Sequence, residues 1–214
     1  MNTTGTTRRQ VHKPAATRRQ ELVDAAVRVI RRKGLLETTS RDVAAEAGTS
    51  TGLVSHYFDS QDDLLVAAFE QVATEDLARV RRALGAAPDA VGRLRVLLDQ
   101  FAPAARSWQY RMWIDVWAAS AHHAVLRKSS RTLNQEWLAI VTELMERGVA
   151  EGAFACTDPA ASAWRLLALL DGMSVQLVAG QGRTSRPDLL AWVREAAAVE
   201  VGVPVAQLDP PVVR

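Results

Sequence analysis

A chain of 214 residues that is 48% hydrophobic and 23% charged is long enough to bury a real core in one or two domains and too apolar to be disordered throughout. Its formal net charge of +2 hides an asymmetry: residues 1–33 hold 9 Lys/Arg against 2 acids and the remainder 17 against 22, so a basic leading segment precedes a mildly acidic body. With Cys156 as its single cysteine no disulfide can form within the chain, which suits a cytoplasmic protein.

Alanine is abundant, and glycine and proline are sparse inside the periodic segments, so the expected fold class is all-α. Residues 1–16 are Thr-rich and basic, lack the apolar core of a signal peptide, and read as a flexible arm. The first helix is expected to begin at Thr17, where Thr17-Arg18-Arg19-Gln20 fits a capping box, and to close at Gly34. Leu22, Ala26, Val29 and Ile30 recur along it at helical spacing. Two short helices follow, one with Val43, Ala44 and Ala47 on a side behind a cap at Thr39, the other with Leu53, Val54 and Phe58 behind Ser50 and Thr51. Gly48 marks the break between them, where positive φ is favoured. Ser60-Gln61-Asp62-Asp63 then opens a helix running to about Leu84, on the order of 35 Å long, that joins a head at residues 17–60 to a body at 61–203.

The body stays helical: Asp89 to Phe101 before Pro103, Trp108 to Ala121, and His123 to Glu151. A loop at Gly152–Asp158 leads to Pro159, which suits the first turn of the next helix, carrying Trp164, Leu167, Leu170, Met173 and Leu177. Arg165, Asp171 and Gln176 interrupt this most apolar stretch, so it reads as a buried helix and not a membrane span. After Gly180-Gln181-Gly182 a last helix starts at Ser185, and residues 204–214 read as a loose tail with Pro204, Pro210 and Pro211.

The two short helices at Ser40 to Tyr57 form a helix-turn-helix pattern, whose second helix is the one that enters a DNA major groove. Thr49, Ser50, Thr51 and Gly52 begin it: the hydroxyls donate to phosphate or base acceptors and Gly52 lets the backbone come close. Ser55, His56 and Tyr57 lie a turn later, with the Tyr57 hydroxyl suited to a phosphate. Thr39 and Arg41, at the start of the preceding helix, face backbone or a base, and Arg8, Arg9, Lys13, Arg18 and Arg19 add counterion release. The bland alternative is that Thr49, Ser50 and Thr51 are only caps and that the Tyr57 ring tucks under the long helix.

All six tryptophans, Trp108, Trp113, Trp117, Trp137, Trp164 and Trp192, lie in the body. Trp113 and Trp117 share a helix face with Tyr110, while Asp115 lies on the same segment and points elsewhere. Asp171 interrupts an otherwise apolar helix. Aromatic faces near a carboxylate are what an organic cation requires, so Tyr110, Trp113, Asp115, Trp117, Trp164 and Asp171 are the candidate ligand residues. Here the alternative is a packed tryptophan core with Asp171 hydrogen-bonded to a neighbouring helix. Catalysis has little behind it, since His122 and His123 lack a helically spaced partner, Cys156 has no placed base, and no phosphate loop or nucleophile elbow occurs. No cofactor or metal is expected. The last two helices, apolar on more than one face from Trp164 to Val178 and again at Leu189, Leu190, Val193 and Ala197, offer a surface for a second copy.

The run Thr39-Ser-Arg-Asp-Val-Ala-Ala-Glu-Ala-Gly-Thr-Ser-Thr-Gly-Leu-Val-Ser-His-Tyr-Phe-Asp-Ser-Gln-Asp-Asp-Leu-Leu65 resembles the head of the TetR family of transcriptional repressors, over about Arg18 to Phe69. Ser50 to Phe58, with Met112 to His122 and Leu169 to Gly172, is most similar to the BetI-type, choline-responsive branch. The resemblance implies a ligand-responsive homodimeric repressor, a four-helix bundle made by the last two helices of both subunits, a palindromic double-stranded DNA operator and a small-molecule effector. Two positions depart from the family pattern: Thr49 stands where an apolar residue is usual, and Gln61 where a lysine commonly holds a phosphate, so Gln61 is expected to clamp DNA less firmly. The rivals are a ligand-independent regulator of the same fold and an all-helical enzyme or scaffold that only mimics the head.

Overall fold

The computed structural model describes residues 14–104, 107–181 and 184–209. The arginines and lysine of the leading arm (Arg8, Arg9, Lys13), together with Gly182, Pro210 and Pro211, lie outside the described residues. Among those described the fold is all-α, with nine α-helices: α1 Ala15–Lys33, α2 Ser40–Glu46, α3 Thr51–Tyr57, α4 Gln61–Gly85, α5 Ala90–Phe101, α6 Trp108–Ala119, α7 Ala124–Ala150, α8 Pro159–Val178 and α9 Arg186–Val201. None of them is long and apolar enough to cross a membrane.

Side-chain caps set most of the starts. Thr39 closes a capping box with Asp42, Ser50 accepts from the Leu53 amide, and Ser60 from the Asp63 amide. Asp89, Ser107, Asp158 and Ser185 do the same for α5, α6, α8 and α9. Each such cap contributes roughly 1 kcal/mol by satisfying a helix-end N–H. The expected capping box at Thr17 is a correction: α1 already begins at Ala15 behind Pro14, which has no side-chain cap. Proline at the helix boundary needs no N–H partner, so the chain enters the helix before Thr17 is reached.

The head packs α1, α2 and α3 around Leu22, Ala26, Ile30, Val43, Val54 and Phe58, all buried, with the start of α4 as floor. Gly48, at φ 64, makes the turn between α2 and α3. Much of the positive charge on α1 is used inside the head. Arg28 and Arg32 both pair with Glu46 at 2.7 and 2.6 Å, Lys33 pairs with Asp42 at 2.9 Å, and Arg19 lies 4.7 Å over the Phe58 ring. Helix α4, 25 residues and about 37 Å long, leaves the head and runs down the body against α5 and α7.

The body is a bundle in which α7 packs on α4 and α8, and α9 on α8. Leu94, Leu98, Met112, Met145, Leu166 and Val193 fill its centre. Of the tail expected to be loose at 204–214, the described residues 204–209 pack against the body. Val205–Gln207 is a short 3-10 turn, and it delivers Leu208 into the core at 0% exposure. One large side chain buried this way is worth roughly 1.5–3 kcal/mol.

Gly148 shows how tightly the α7 end is packed, since a Cβ there would sit 2.0 Å from the Phe154 ring. Gly148→Ala is expected to lower stability by about 1–3 kcal/mol through overpacking, despite alanine's better helix propensity. Gly85→Ala, where a Cβ meets nothing within 4 Å, should be neutral or slightly stabilising. Urea midpoints of the two variants check this; equal shifts would show that Phe154 does not occupy that space.

Candidate functional site

The candidate residues fall into two sites, one in the head and one in the body. At the head, α3 buries Val54 and presents Thr51, Gly52, Ser55 and His56 to solvent, with Ser50 exposed before it. Thr49 and Tyr57 are half-buried; the Tyr57 ring packs on the head core and meets His56 edge-on at 5.0 Å. Both alternatives for these residues therefore hold in part, because Ser50 caps α3 and Tyr57 is partly tucked in, yet the outer face of α3 stays open. Arg41 is exposed on α2 beside it. Thr39 is a correction. Its hydroxyl donates to Asp42 Oδ2 at 2.7 Å while accepting from the Asp42 amide, which leaves it no proton to give a phosphate. Gln61 is exposed, but its Oε1 accepts from the Ser40 amide at 3.4 Å, so it ties the starts of α2 and α4 together and leaves only its NH₂ outward. Arg18 pairs with Glu21 at 2.8 Å.

In the body, α6 turns Tyr110, Trp113 and Trp117 toward one cavity of about 140 Å³. The Trp113 and Trp117 rings are 5.7 Å apart and tilted by 47°, and Tyr110 stands edge-on to Trp117 at 6.2 Å. Phe101 at the end of α5 and Trp137 of α7, edge-on to each other at 4.8 Å, close the facing wall. Asp171 of α8 supplies the carboxylate: the Tyr110 hydroxyl is 3.2 Å from its Oδ1 and 3.1 Å from its backbone oxygen. Burial pushes the Asp171 carboxyl up to about 6, against the opposing effect of the bond from Tyr110. The same burial, together with the charge of Asp171, raises the Tyr110 phenol well above its ordinary value, so it remains a donor at any relevant pH. The other acid in the lining, Asp76 of α4, is neutralised by Arg79 at 2.8 Å, and Arg79 also donates to Gln100 at 2.5 Å.

A partly open space of that size is on the scale of the ~150 Å³ cavity that takes up one benzene molecule. Its walls are largely aromatic faces, with the Asp171 carboxylate at one end, and the Arg79 guanidinium in the lining is tied to Asp76 and Gln100.

Two expected ligand residues fall elsewhere. Asp115 is two residues from Trp113, about 200° around the helix, and its Oδ2 accepts from the Leu35 amide at 2.9 Å, at the α1–α2 junction. Trp164 is 60% exposed on α8 and lines an open groove beside the cavity and not the cavity itself. Conversely, Phe101, Trp137 and Asp76 line the cavity although they were not among the expected ligand residues. His123 sits at the start of α7, its Nδ1 2.7 Å from Asp62 Oδ2 of α4, and Cys156 is buried. Among the described residues no group of three or more His, Cys, Asp or Glu is arranged to hold a metal.

Comparison with known proteins bears on both sites. Residues 22–68 match the family described as bacterial regulatory proteins, tetR family, and residues 90–202 match the BetI-type transcriptional repressor C-terminal family. The chain is 35% identical over 163 residues to the HTH-type transcriptional regulator BetI of Burkholderia mallei, covering 73% of this chain and 79% of that protein. It is 33% identical, with the same coverage, to the regulator BetI of Paraburkholderia phytofirmans. Among solved structures, a transcriptional regulator from Saccharomonospora viridis in complex with choline superposes with a TM-score of 0.76 at 25% identity, covering 84% of this chain and 95% of that one. A regulator from Pseudomonas aeruginosa PAO1, at 21% identity and TM-score 0.75 over 92% and 97% of the two chains, shares the fold.

The position of Asp171 has a measurable consequence. Folding raises its pKa from 3.8 to about 6, so the folded chain holds the proton more tightly than the unfolded one. Its contribution therefore falls as pH climbs through that window and is absent in Asp171→Asn. Tryptophan emission, reported by Trp113 and Trp117 beside it, should show a step near pH 6 that this variant abolishes. A flat profile between pH 4.5 and 7.5, or a step that survives the substitution, would contradict this environment.

Proposed function

We infer the function from the premise that the chain belongs to the TetR family of transcriptional regulators, with a C-terminal domain of the BetI type. It is a transcriptional regulator, and the reading proposed here is that it represses as a homodimer on a palindromic operator and is released by an organic cation of the choline class. The observation that carries the effector reading is the cavity. Five aromatic rings from α5, α6 and α7 line about 140 Å³ together with the half-buried Asp171 carboxylate, and a fold relative with a bound choline supports the same class. Rings attract a quaternary ammonium through their negative faces, and Asp171 balances its charge without a hydrogen bond that such an ion cannot give.

In this reading the exposed face of α3 reads bases through Thr51, Gly52, Ser55 and His56, while Arg41, Ser50 and the Tyr57 hydroxyl position the head on phosphates. Thr49 is left to pack the turn, and the free NH₂ of Gln61 makes an uncharged contact where a lysine is usual. The dimer surface is assigned to α8 and α9. Trp164 and Trp192 are 60% and 48% exposed in the single subunit, and Trp164, Ala168, Gly172 and Gln176 make an exposed stripe along α8. A mid-helix glycine costs about 1 kcal/mol, and in α8 nothing within the subunit fills the space a Cβ at Gly172 would take, which fits close approach of a second helix. A twofold pair sets the two α3 helices one DNA turn or a multiple apart, about 34–36 Å.

Transmission follows from α6. Its Trp113 stands edge-on to Phe69 of α4 at 4.7 Å, and its Asp115 holds the Leu35 amide of the head. A cation that wedges between the rings displaces α6 relative to both, tilting α4 and with it α1 to α3. The shift is limited by the difference in the cation's affinity for the two head positions.

Fluorescence anisotropy on labelled DNA from upstream of its own gene tests the whole reading. The protein is expected to prefer that DNA over unrelated duplex at moderate salt, and saturating choline should weaken binding at least tenfold. No preference even at low salt would overturn the DNA reading. Binding left unchanged by choline, while tryptophan emission shows the cavity occupied, would overturn the effector mechanism.

A further inference from the structure

The aromatic cavity is not closed on all sides. Trp117, Asn134, Leu167 and Asp171 also line a second, open space of about 700 Å³ that runs between α7 and α8. Helix α7 presents Arg127, Ser130, Arg131 and Asn134 to it at three- and four-residue spacing, a continuous stripe of donors. Ser130 is 4% exposed, so the stripe includes the floor and not only the rim. The Arg127 guanidinium donates to the Ser120 carbonyl at the end of α6 at 3.0 Å, which pins it beside the groove. Arg131 has no hydrogen-bond or ion-pair partner among the described residues. The one acid in the lining is Asp171, which the groove shares with the aromatic cavity.

A cation-binding cavity thus opens into a groove of positive charge. For a bare cation this is a poor neighbour, because two arginines outnumber the single carboxylate, Asp171, in the lining. For a guest with an anion at its other end the same charges attract. We propose that the effector site is bipartite and prefers a zwitterion: a quaternary ammonium in the aromatic cavity joined to a phosphate or carboxylate that reaches Arg131 and Arg127. This rests on the cavity being an organic-cation site and names the class of ligand that site takes. The reach follows from helix geometry. Asn134 stands at the shared wall, and Arg131 and Arg127 lie about 5 and 10 Å further along α7. The guest's anion must be several bonds from its nitrogen, as in phosphocholine or carnitine. Glycine betaine, with its carboxylate one carbon away, is too short.

Titration of the full-length protein by tryptophan emission tests this with choline, phosphocholine, carnitine and glycine betaine as probes. The wild type is expected to bind phosphocholine or carnitine about tenfold more tightly than choline, and glycine betaine no better than choline. Which of the two zwitterions wins distinguishes a phosphate from a carboxylate. Arg131→Gln and Arg131→Glu should weaken the zwitterion progressively while strengthening bare choline, opposite signs that a purely structural role would not produce. Choline binding at least as well as both zwitterions, or Arg131 variants that weaken all ligands alike, would overturn the proposal. So would variants that change only the dimer's dissociation, which would show the groove to be covered by the partner. Failure of the wild type to bind any of the four compounds would instead remove the organic-cation reading beneath it.

Discussion

The hydrogen bond from the Leu35 amide to Asp115 joins two parts of the chain 80 residues apart and ties the head to the body at a point other than α4. Leu35 is fully buried, just after Gly34 ends α1 at φ 96, so its N–H has no water to turn to. Leaving such a donor unmatched costs about 1–3 kcal/mol, which makes the acceptor on α6 part of how the α1–α2 junction holds its shape. The same twelve-residue helix carries Tyr110, Trp113 and Trp117 on its other side. Body cavity and head junction are therefore built on opposite faces of one rigid element. Under the proposed function, a guest cannot move those rings without moving the residue that holds Leu35.

Charge in this protein is more committed than its totals imply. Of the basic residues on α1, Arg28 and Arg32 hold α2 through Glu46, Lys33 holds Asp42 and lowers its carboxyl to about 2, and Arg19 covers Phe58. Charge available to a polyanion thus comes from fewer residues on α1 than the leading balance suggested. The exposed face of α3 itself is polar and carries no Lys, Arg, Asp or Glu. In the body the pattern reverses. Asp76 is matched by Arg79, whereas Arg131 has no partner in a groove whose one carboxylate is Asp171. Unmatched charge sits where the proposed ligand would be.

What the sequence made legible follows the range of the interaction. Caps depend on residues three apart, and Thr39, Ser50, Ser60, Asp89 and Ser185 were all readable as helix starts. The shared face of Tyr110, Trp113 and Trp117 depends on helical period and was readable too. The facing wall was not. Phe101 and Trp137 come from other helices, and no local spacing records that α5 and α7 bring them together at 4.8 Å. Asp115 was grouped with the ligand residues by its place in the segment although its angle around the helix points it to the head. Trp164 was grouped by its residue type, and only packing shows that it faces outward. Leu208 was lost to the prolines around it, since a single buried anchor leaves no periodic trace.

The claim on which the account turns is that occupancy of the cavity is felt at the α1–α2 junction through Asp115. Residue-resolved amide hydrogen exchange at Leu35, with and without saturating choline, measures that junction directly. The account predicts a changed exchange rate at Leu35 when the cavity fills, and loss of that change in Asp115→Ala while choline still binds. An unchanged Leu35 amide in the wild type, with tryptophan emission reporting full occupancy, would contradict it.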